Sequence, residues 1–244
     1  MKYWGLTDKG LVRKRNEDAY FAAVSDDGKY GLFVVCDGMG GAQSGDVASS
    51  IACRTFAEYM NSRDYTDADF ESCCFMLFSA ASAANKAVYE KSIEDVNCAG
   101  MGTTLVAALV HEDRAAVVNV GDSRAYHIRG NGIVQVTIDH SLVEDMVRAG
   151  DITREEARNH PQKNLITRAL GSFPDTVPDV FSVELDDGDY LLLCSDGLTN
   201  ELTDKELLSA FNIIDNKENV CDALLKASYV RGAHDNVTVV LCEC

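Results

Sequence analysis

Two spacings of apolar residues alternate along this chain. Tyr30–Cys36 (YGLFVVC) is an unbroken apolar run, which predicts a strand buried on both faces. The glycine-rich Asp37–Gly41 (DGMGG) after it reads as a tight turn. Before it, Tyr3–Val24 mixes short β-type runs around a polar turn at Lys14–Asp18. From about Asp46 to Tyr59 the period lengthens, and Ile51, Thr55, Phe56 and Tyr59 fall on one helical face. A second helix is expected from near Thr66, where Thr66 and Asp69 fit a capping box. Its stripe of Phe70, Cys73, Cys74, Leu77, Ala81, Ala84 and Val88 reads as core.

Strand patterns return at Thr103–Val110, Arg114–Val120, Arg124–Ile128 and Ile133–Ile138, with short polar connections that suit antiparallel hairpins. Ser141–Asn159 looks helical but is highly charged and broken by Gly150, which predicts a surface flap, about residues 141–163. Strands follow at Val180–Leu185 and Tyr190–Cys194. Two helices come next: Thr203 and Glu206 cap the first, and Val220, Ala223, Leu224 and Ala227 stripe the second. Asn236–Cys242 (NVTVVLC) is the last strand. Grouped strands and grouped helices, without βαβ winding, predict an α+β fold with a mainly antiparallel sheet. No linker or repeat divides the chain, so residues 1–244 are expected to form a single domain.

Composition narrows the function. Of 244 residues, 46% are apolar and 25% charged, the balance of a globular domain. No apolar run approaches the ~18 residues of a membrane span, and Met1–Gly10 lacks the form of a signal peptide. A cytoplasmic protein without a membrane partner is expected. The nine cysteines then read as small buried hydrophobes. The net charge of −17 argues against nucleic acid, because the only basic knot is Arg13, Lys14 and Arg15. An acidic chain that handles phosphate needs cations to overcome its own field.

Four aspartates share one setting. Asp37, Asp122, Asp196 and Asp235 each sit at the edge of a strongly apolar strand. Asp–Gly pairs make turns, and one such residue would mean nothing more. Strand ends that converge would crowd all four, and like charges at short range raise one another's pKa. A divalent cation removes that conflict, and hard oxygen donors suit magnesium or manganese. Glu17 adds a further acid. Two such ions lower the pKa of a water and neutralise a transferring phosphoryl group. Arg13 is the candidate to grip phosphate oxygens.

Arg13-x-x-Asn16-Glu17-Asp18, Asp37-Gly-Met-Gly-Gly41, Gly102-Thr103-Thr104, Gly121-Asp122-Ser123-Arg124, Ser195-Asp196-Gly197 and Asp235-Asn236 resemble, in order, the signature blocks of the metal-dependent protein phosphatases, the type 2C serine/threonine phosphatases. The blocks extend from about residue 8 to residue 241. Asp139-His140-Ser141 through His160-Pro161, and Thr167–Gly171, resemble the bacterial branch. The resemblance implies a β-sandwich of two mainly antiparallel sheets flanked by helices on both sides, with the metal site at one end. It implies two core Mn²⁺ or Mg²⁺ ions bridged by Asp37. Glu17 and the Gly38 carbonyl complete one ion, and Asp196 and Asp235 the other. Asp122 with Asp196 holds a third, weaker ion, and Arg13 binds substrate phosphate.

The implied reaction is a single in-line attack of the bridging water on phosphoserine or phosphothreonine, without a covalent intermediate. The implied partners are phosphorylated proteins, among them a Ser/Thr kinase, and a monomer is expected. One position departs from many relatives: Met39 stands where a histidine acid is found, and Met donates no proton. His140, His160 and His234 read as structural, leaving a metal-bound water as the acid. Asp122 also has a plainer reading, a turn residue balanced by Arg124.

Other chemistries fail on residues. No cysteine has an arginine six positions on, as a thiol phosphatase needs. No G-x-S-x-G is present. A dinucleotide reading of VVCDGMGG would need glycine at Gln43. The remaining alternative is a non-catalytic phosphoprotein-binding module on the same fold. The presence of all five carboxylates speaks against it.

Overall fold

A computed structural model describes residues 1–40, 44–63 and 68–244. In chain order the elements are β1 (Lys2–Asp8), β2 (Asp18–Val24), β3 (Tyr30–Met39), α1 (Gly45–Asn61), α2 (Phe70–Glu94), β4 (Gly102–Thr103), β5 (Leu105–His111), β6 (Arg114–Val120), β7 (Arg124–Arg129), β8 (Gly132–Gln135), α3 (Leu142–Ala149), α4 (Arg154–Arg158), β9 (Asp179–Glu184), β10 (Tyr190–Cys194), α5 (Asp196–Thr199), α6 (Asp204–Ile213), α7 (Val220–Arg231) and β11 (Val237–Glu243). One sheet has the order β1-β11-β10-β7-β8 and the other β2-β3-β5-β6-β9, with β4 paired to the end of β3. Every pairing is antiparallel.

The apolar run of β3 is explained by its place between layers. Phe33 and Val35 pack into the cluster between the sheets, with Leu191, Leu193 and Val240. Leu32, Val34 and Cys36 point the other way, against Ala52, Phe56 and Leu77 of α1 and α2. Both faces are apolar because both are covered. On the opposite side, Leu207, Phe211 and Leu224 of α6 and α7 cover Leu192, Val239 and Leu241. The result is helix, sheet, sheet, helix, as expected from the resemblance. Among the described residues no helix is long and apolar enough to cross a membrane.

Several local expectations change. β3 does not stop at Asp37: Gly38 and Met39 pair with Thr103 and Gly102 of β4, so Asp37–Met39 is strand, not turn. Gly41 lies outside the described residues. The strand expected at Thr103–Val110 is divided at Thr104, whose hydroxyl meets Ser123 Oγ at 2.6 Å. The second helix starts at Phe70, where the Asp69 carboxylate accepts from Ser72 N at 2.8 Å. Thr66 lies outside the described residues. Strand β8 ends at Gln135, short of the expected Ile138, because Gln135 Nε2 turns back to the Thr137 carbonyl and to Asp139. Three helices, not two, separate the last two strands, the first being the one-turn α5 that opens on Asp196.

Candidate active site

Strand pairing assembles the carboxylates. Asp18 and Asp37 are register partners across β2 and β3. In the other sheet, β10 and β11 are neighbours, and Asp196 follows the first while Asp235 precedes the second. Hydrogen bonds tie the two sheets together at this end. Asp18 Oδ2 accepts from Ser195 Oγ at 2.8 Å and from Thr238 Oγ1 at 2.6 Å. Thr238 thereby spends its one hydroxyl proton, so the 2.6 Å contact with Thr7 Oγ1 has Thr7 donating. Thr7 in turn accepts from Asn16 Nδ2 at 2.8 Å.

The backbone is equally constrained. Asp37 N donates to Thr104 Oγ1, and the Asp37 carbonyl accepts from Thr103 Oγ1 and Thr104 N, each at 2.9 Å. Glycine is required where chains touch: a Cβ on Gly38 would lie 2.0 Å from the Gly45 carbonyl oxygen, and one on Gly197 1.9 Å from that of Asn236. Asn236 Oδ1 accepts from Glu17 N at 2.8 Å, which fixes the start of the acidic stretch.

Burial and mutual repulsion dominate the electrostatics. The Asp37 carboxyl is pushed well above the ordinary range by burial, then by Asp18, Asp196, Asp122 and Asp235. Asp122 is raised by burial, Asp196 and Asp139. Burial and Asp235 raise Asp196, while Asp37 and the Asn200 amide, donating at 2.8 Å, pull it back. Burial holds Asp18 up at about 7 despite its two hydroxyl donors. Glu17 is raised by burial and by Asp46 of α1, with Arg13 opposing. The structure thus brings Glu17, Asp37, Asp122, Asp196 and Asp235 into one field. Arg13 Nη2 donates to Asp235 Oδ2 at 2.7 Å, with its side chain half exposed. Arg124 offsets Asp122 only in part, and only through its field. Its guanidinium grips Asp139 bidentately, at 2.6 to 3.0 Å.

The three histidines His140, His160 and His234 are engaged by other partners. His140 is buried; Nδ1 accepts from Gly121 N at 3.0 Å, and Nε2 meets Asp179 Oδ2 at 3.0 Å. Burial lowers its pKa. His160 Nδ1 accepts from Gln162 N, and His234 pairs with Glu201. The side chain that sequence reading left without a role is Asp18, together with its partners Ser195 and Thr238. The only local signal was an acid opening an otherwise apolar strand.

Among the described residues, no three His, Cys, Asp or Glu side chains stand close enough to form a ready metal cage. Asp235 is spent on Arg13 and Asp196 on Asn200. The chemistry of the donors nonetheless fits hard divalent cations. Five carboxylates share one field that a proton or a cation must neutralise. A Cβ on Gly45 would lie 2.9 Å from the Gly38 carbonyl oxygen and 3.0 Å from Glu17 Oε2, so the missing side chain leaves these two oxygens facing a common space. Asp18 Oδ1 is buried without a hydrogen-bond partner, an acceptor suited to an ion's water. Beside Asp122 and Asp196 opens a cleft of about 600 Å³, walled by α3, α4 and the start of α6.

Fold and centre together define a class: a four-layer α+β sandwich with a buried acidic centre where its two sheets end. The profile of the protein phosphatase 2C family matches residues 12–225. The chain belongs to that family and is a protein phosphatase. It is 38% identical over 241 residues to the serine/threonine phosphatase stp of Listeria welshimeri, covering 97% of this chain and 93% of that one. The crystal structure of Stp1 from Staphylococcus aureus superimposes with a TM-score of 0.93 at 36% identity, over 100% of this chain and 94% of that one. The catalytic domain of the phosphatase PstP, in complex with two manganese ions, gives a TM-score of 0.86 at 34% identity, over 99% and 97% of the two chains.

Proposed function

We propose that this phosphatase hydrolyses phosphoserine and phosphothreonine in proteins with two manganese or magnesium ions bound at the acidic centre. The observation that carries the reading is the group of buried, mutually repelling carboxylates Asp37, Asp122 and Asp196, all held above the ordinary range although Arg124 offsets the last two in part. Asp37, next to Gly38 in the chain and within the field of Asp196 and Asp235, would serve as a donor to both ions. Glu17 and the Gly38 carbonyl complete one set, and Asp196 and Asp235 the other. Divalent cations supply two things there: a water of lowered pKa and neutralisation of phosphoryl charge.

The protein does the rest. Arg13, which pairs with Asp235 here, would orient phosphate oxygens in a fork once that carboxylate served as a cation donor. Asp18, braced by Ser195 and Thr238, leaves Oδ1 free to accept a hydrogen bond from a water that a bound cation would hold there. Asp122, at the mouth of the cleft and next to Asp196, is assigned to a third, weaker cation, because so few protein donors surround it. Met39 donates no proton, and the hydrogen bonds of His140 hold it away, so the leaving oxygen takes its proton from water. A protein kinase of serine/threonine specificity is the natural opponent and a candidate substrate.

Turnover of p-nitrophenyl phosphate with manganese, and its loss with excess chelator, tests this. Metal-dependent turnover is expected. A folded protein that binds phosphopeptides yet shows no turnover at saturating manganese would instead favour a binding module.

A further inference from the structure

Residues 9–17 join β1 to β2 and carry Arg13. The loop is pinned, not loose. Gly10 adopts a positive φ of 72°, and a Cβ there would come within 2.2 Å of the Asp235 carbonyl oxygen. Gly10 N donates to Asp8 Oδ1 at 2.8 Å, and Leu11 N to the Ala233 carbonyl at 2.9 Å. Asn236 closes the base: its Nδ2 donates to the Lys9 carbonyl at 3.0 Å and to the Arg15 carbonyl at 2.8 Å. Between those anchors the chain forms a fixed arch beside the acidic centre.

What the arch displays is not needed to hold Arg13. Leu11 and Val12 are each 61% exposed, aliphatic surface left in water on a braced loop. Lys14 and Arg15 are exposed too. Neither has a carboxylate within ion-pair distance among the described residues. In a chain of net charge −17, two unpaired cations beside two bare aliphatic side chains form a local exception. Val12 and Lys14 flank Arg13 directly. Successive Cα atoms lie about 3.8 Å apart, close to the rise per residue of an extended peptide. A phosphate held by Arg13 would therefore bring the next one or two residues of a substrate onto this surface.

We propose that the Leu11–Arg15 arch is a docking lip for the phosphoprotein, in which Leu11 and Val12 take an apolar side chain next to the phosphorylated residue and Lys14 and Arg15 take an acidic one. This rests on the phosphatase reading above. The occupant is an extended phosphopeptide segment, chosen because it is anionic where the lip is cationic and because it must pass this point to reach the acidic centre. Pre-pinning lowers the ordering cost of the contact. The field of Arg15 reaches Glu17, so the test leaves Arg15 in place and uses Lys14 and the aliphatic pair.

The experiment compares the parent, L11S/V12S and K14E on p-nitrophenyl phosphate, which is too small to reach the lip, and on phosphothreonine peptides. The peptides carry Leu or Ser, and Glu or Lys, beside the phosphothreonine. L11S/V12S should lower kcat/KM on the Leu peptide roughly tenfold, mostly through KM, and leave the Ser peptide and the aryl phosphate unchanged. K14E should cut the preference for Glu over Lys by about fivefold and flatten its salt dependence. Equal losses on every substrate, aryl phosphate included, would make the arch a mere support for Arg13 and overturn the lip. Unchanged peptide preferences would overturn it as well. If the parent fails on aryl phosphate, the phosphatase reading falls separately, and anisotropy binding of the same peptides still decides the lip.

Discussion

Asp37 is buried and lies in the repelling field of Asp18, Asp196, Asp122 and Asp235. Asp37→Asn removes a charge that burial disfavours and that four neighbours repel. The metal-stripped variant should melt no lower than the parent, even as its activity disappears. If Asp37 is the shared donor proposed above, its loss should cost several kcal/mol of transition-state stabilisation, roughly a thousandfold or more in rate. Asp235→Asn should behave likewise in activity. Calorimetric melts alongside aryl phosphate turnover at saturating manganese check both, and near-parent rates would defeat the assignment. At this scale the sequence exposes a carboxylate but not its neighbours. Asp37, Asp122, Asp196 and Asp235 were legible because each borders an apolar run. Asp18 was not, because Ser195 and Thr238 lie 177 and 220 residues away, and nothing local marks a buried oxygen without a partner.

Elements were legible where their signals are local. Thr203 and Glu206 form the expected capping box: Thr203 Oγ1 accepts from Glu206 N, and Glu206 Oε2 accepts from Thr203 N at 2.8 Å. The box starts α6, which buries Leu207 and Phe211 against the first sheet. Thr203→Ala removes one cap, costing ~1 kcal/mol. In a chain of this size that lowers Tm by roughly 2–4 °C, with kcat on aryl phosphate unchanged. Lost activity at an unchanged Tm would mean that Thr203 serves the neighbouring cleft and not the helix. Non-local pairing is where element prediction failed. Asp-Gly and Gly-Gly dipeptides signal a turn after Cys36, yet β4, more than sixty residues on, supplies Gly102 and Thr103 to extend β3 through Met39. That extension matters for the site. It holds Asp37 on a paired strand, with its backbone fixed by Thr103 and Thr104, rather than on a flexible turn.

For the whole molecule the acidic centre sets how stability depends on pH. Asp18 has an ordinary value of 3.8 and is held at about 7 in the fold, so the folded chain prefers its protonated form. Below about pH 4 both folded and unfolded chains keep that proton, and its contribution to stability is full. As pH rises the unfolded chain releases the proton first. The contribution then shrinks until Asp18 ionises in the fold, near pH 7. Asp37, Asp122 and Asp196 are shifted in the same direction and add to the loss as pH rises. His140 works against them: its lowered pKa makes the fold prefer the neutral ring, a contribution that grows as pH approaches 6.5. One histidine faces four carboxylates, so the carboxylates should win, and the metal-stripped protein should melt lower at about pH 8 than at about pH 5. Manganese separates the two causes. It competes with protons for the carboxylates but not for His140, whose ring nitrogens are engaged by Gly121 and Asp179. Added manganese should therefore raise Tm more at the higher pH and narrow the gap between the two. An equal rise at both values, or a larger one in acid, would mean that the cations stabilise the protein somewhere other than at these carboxylates.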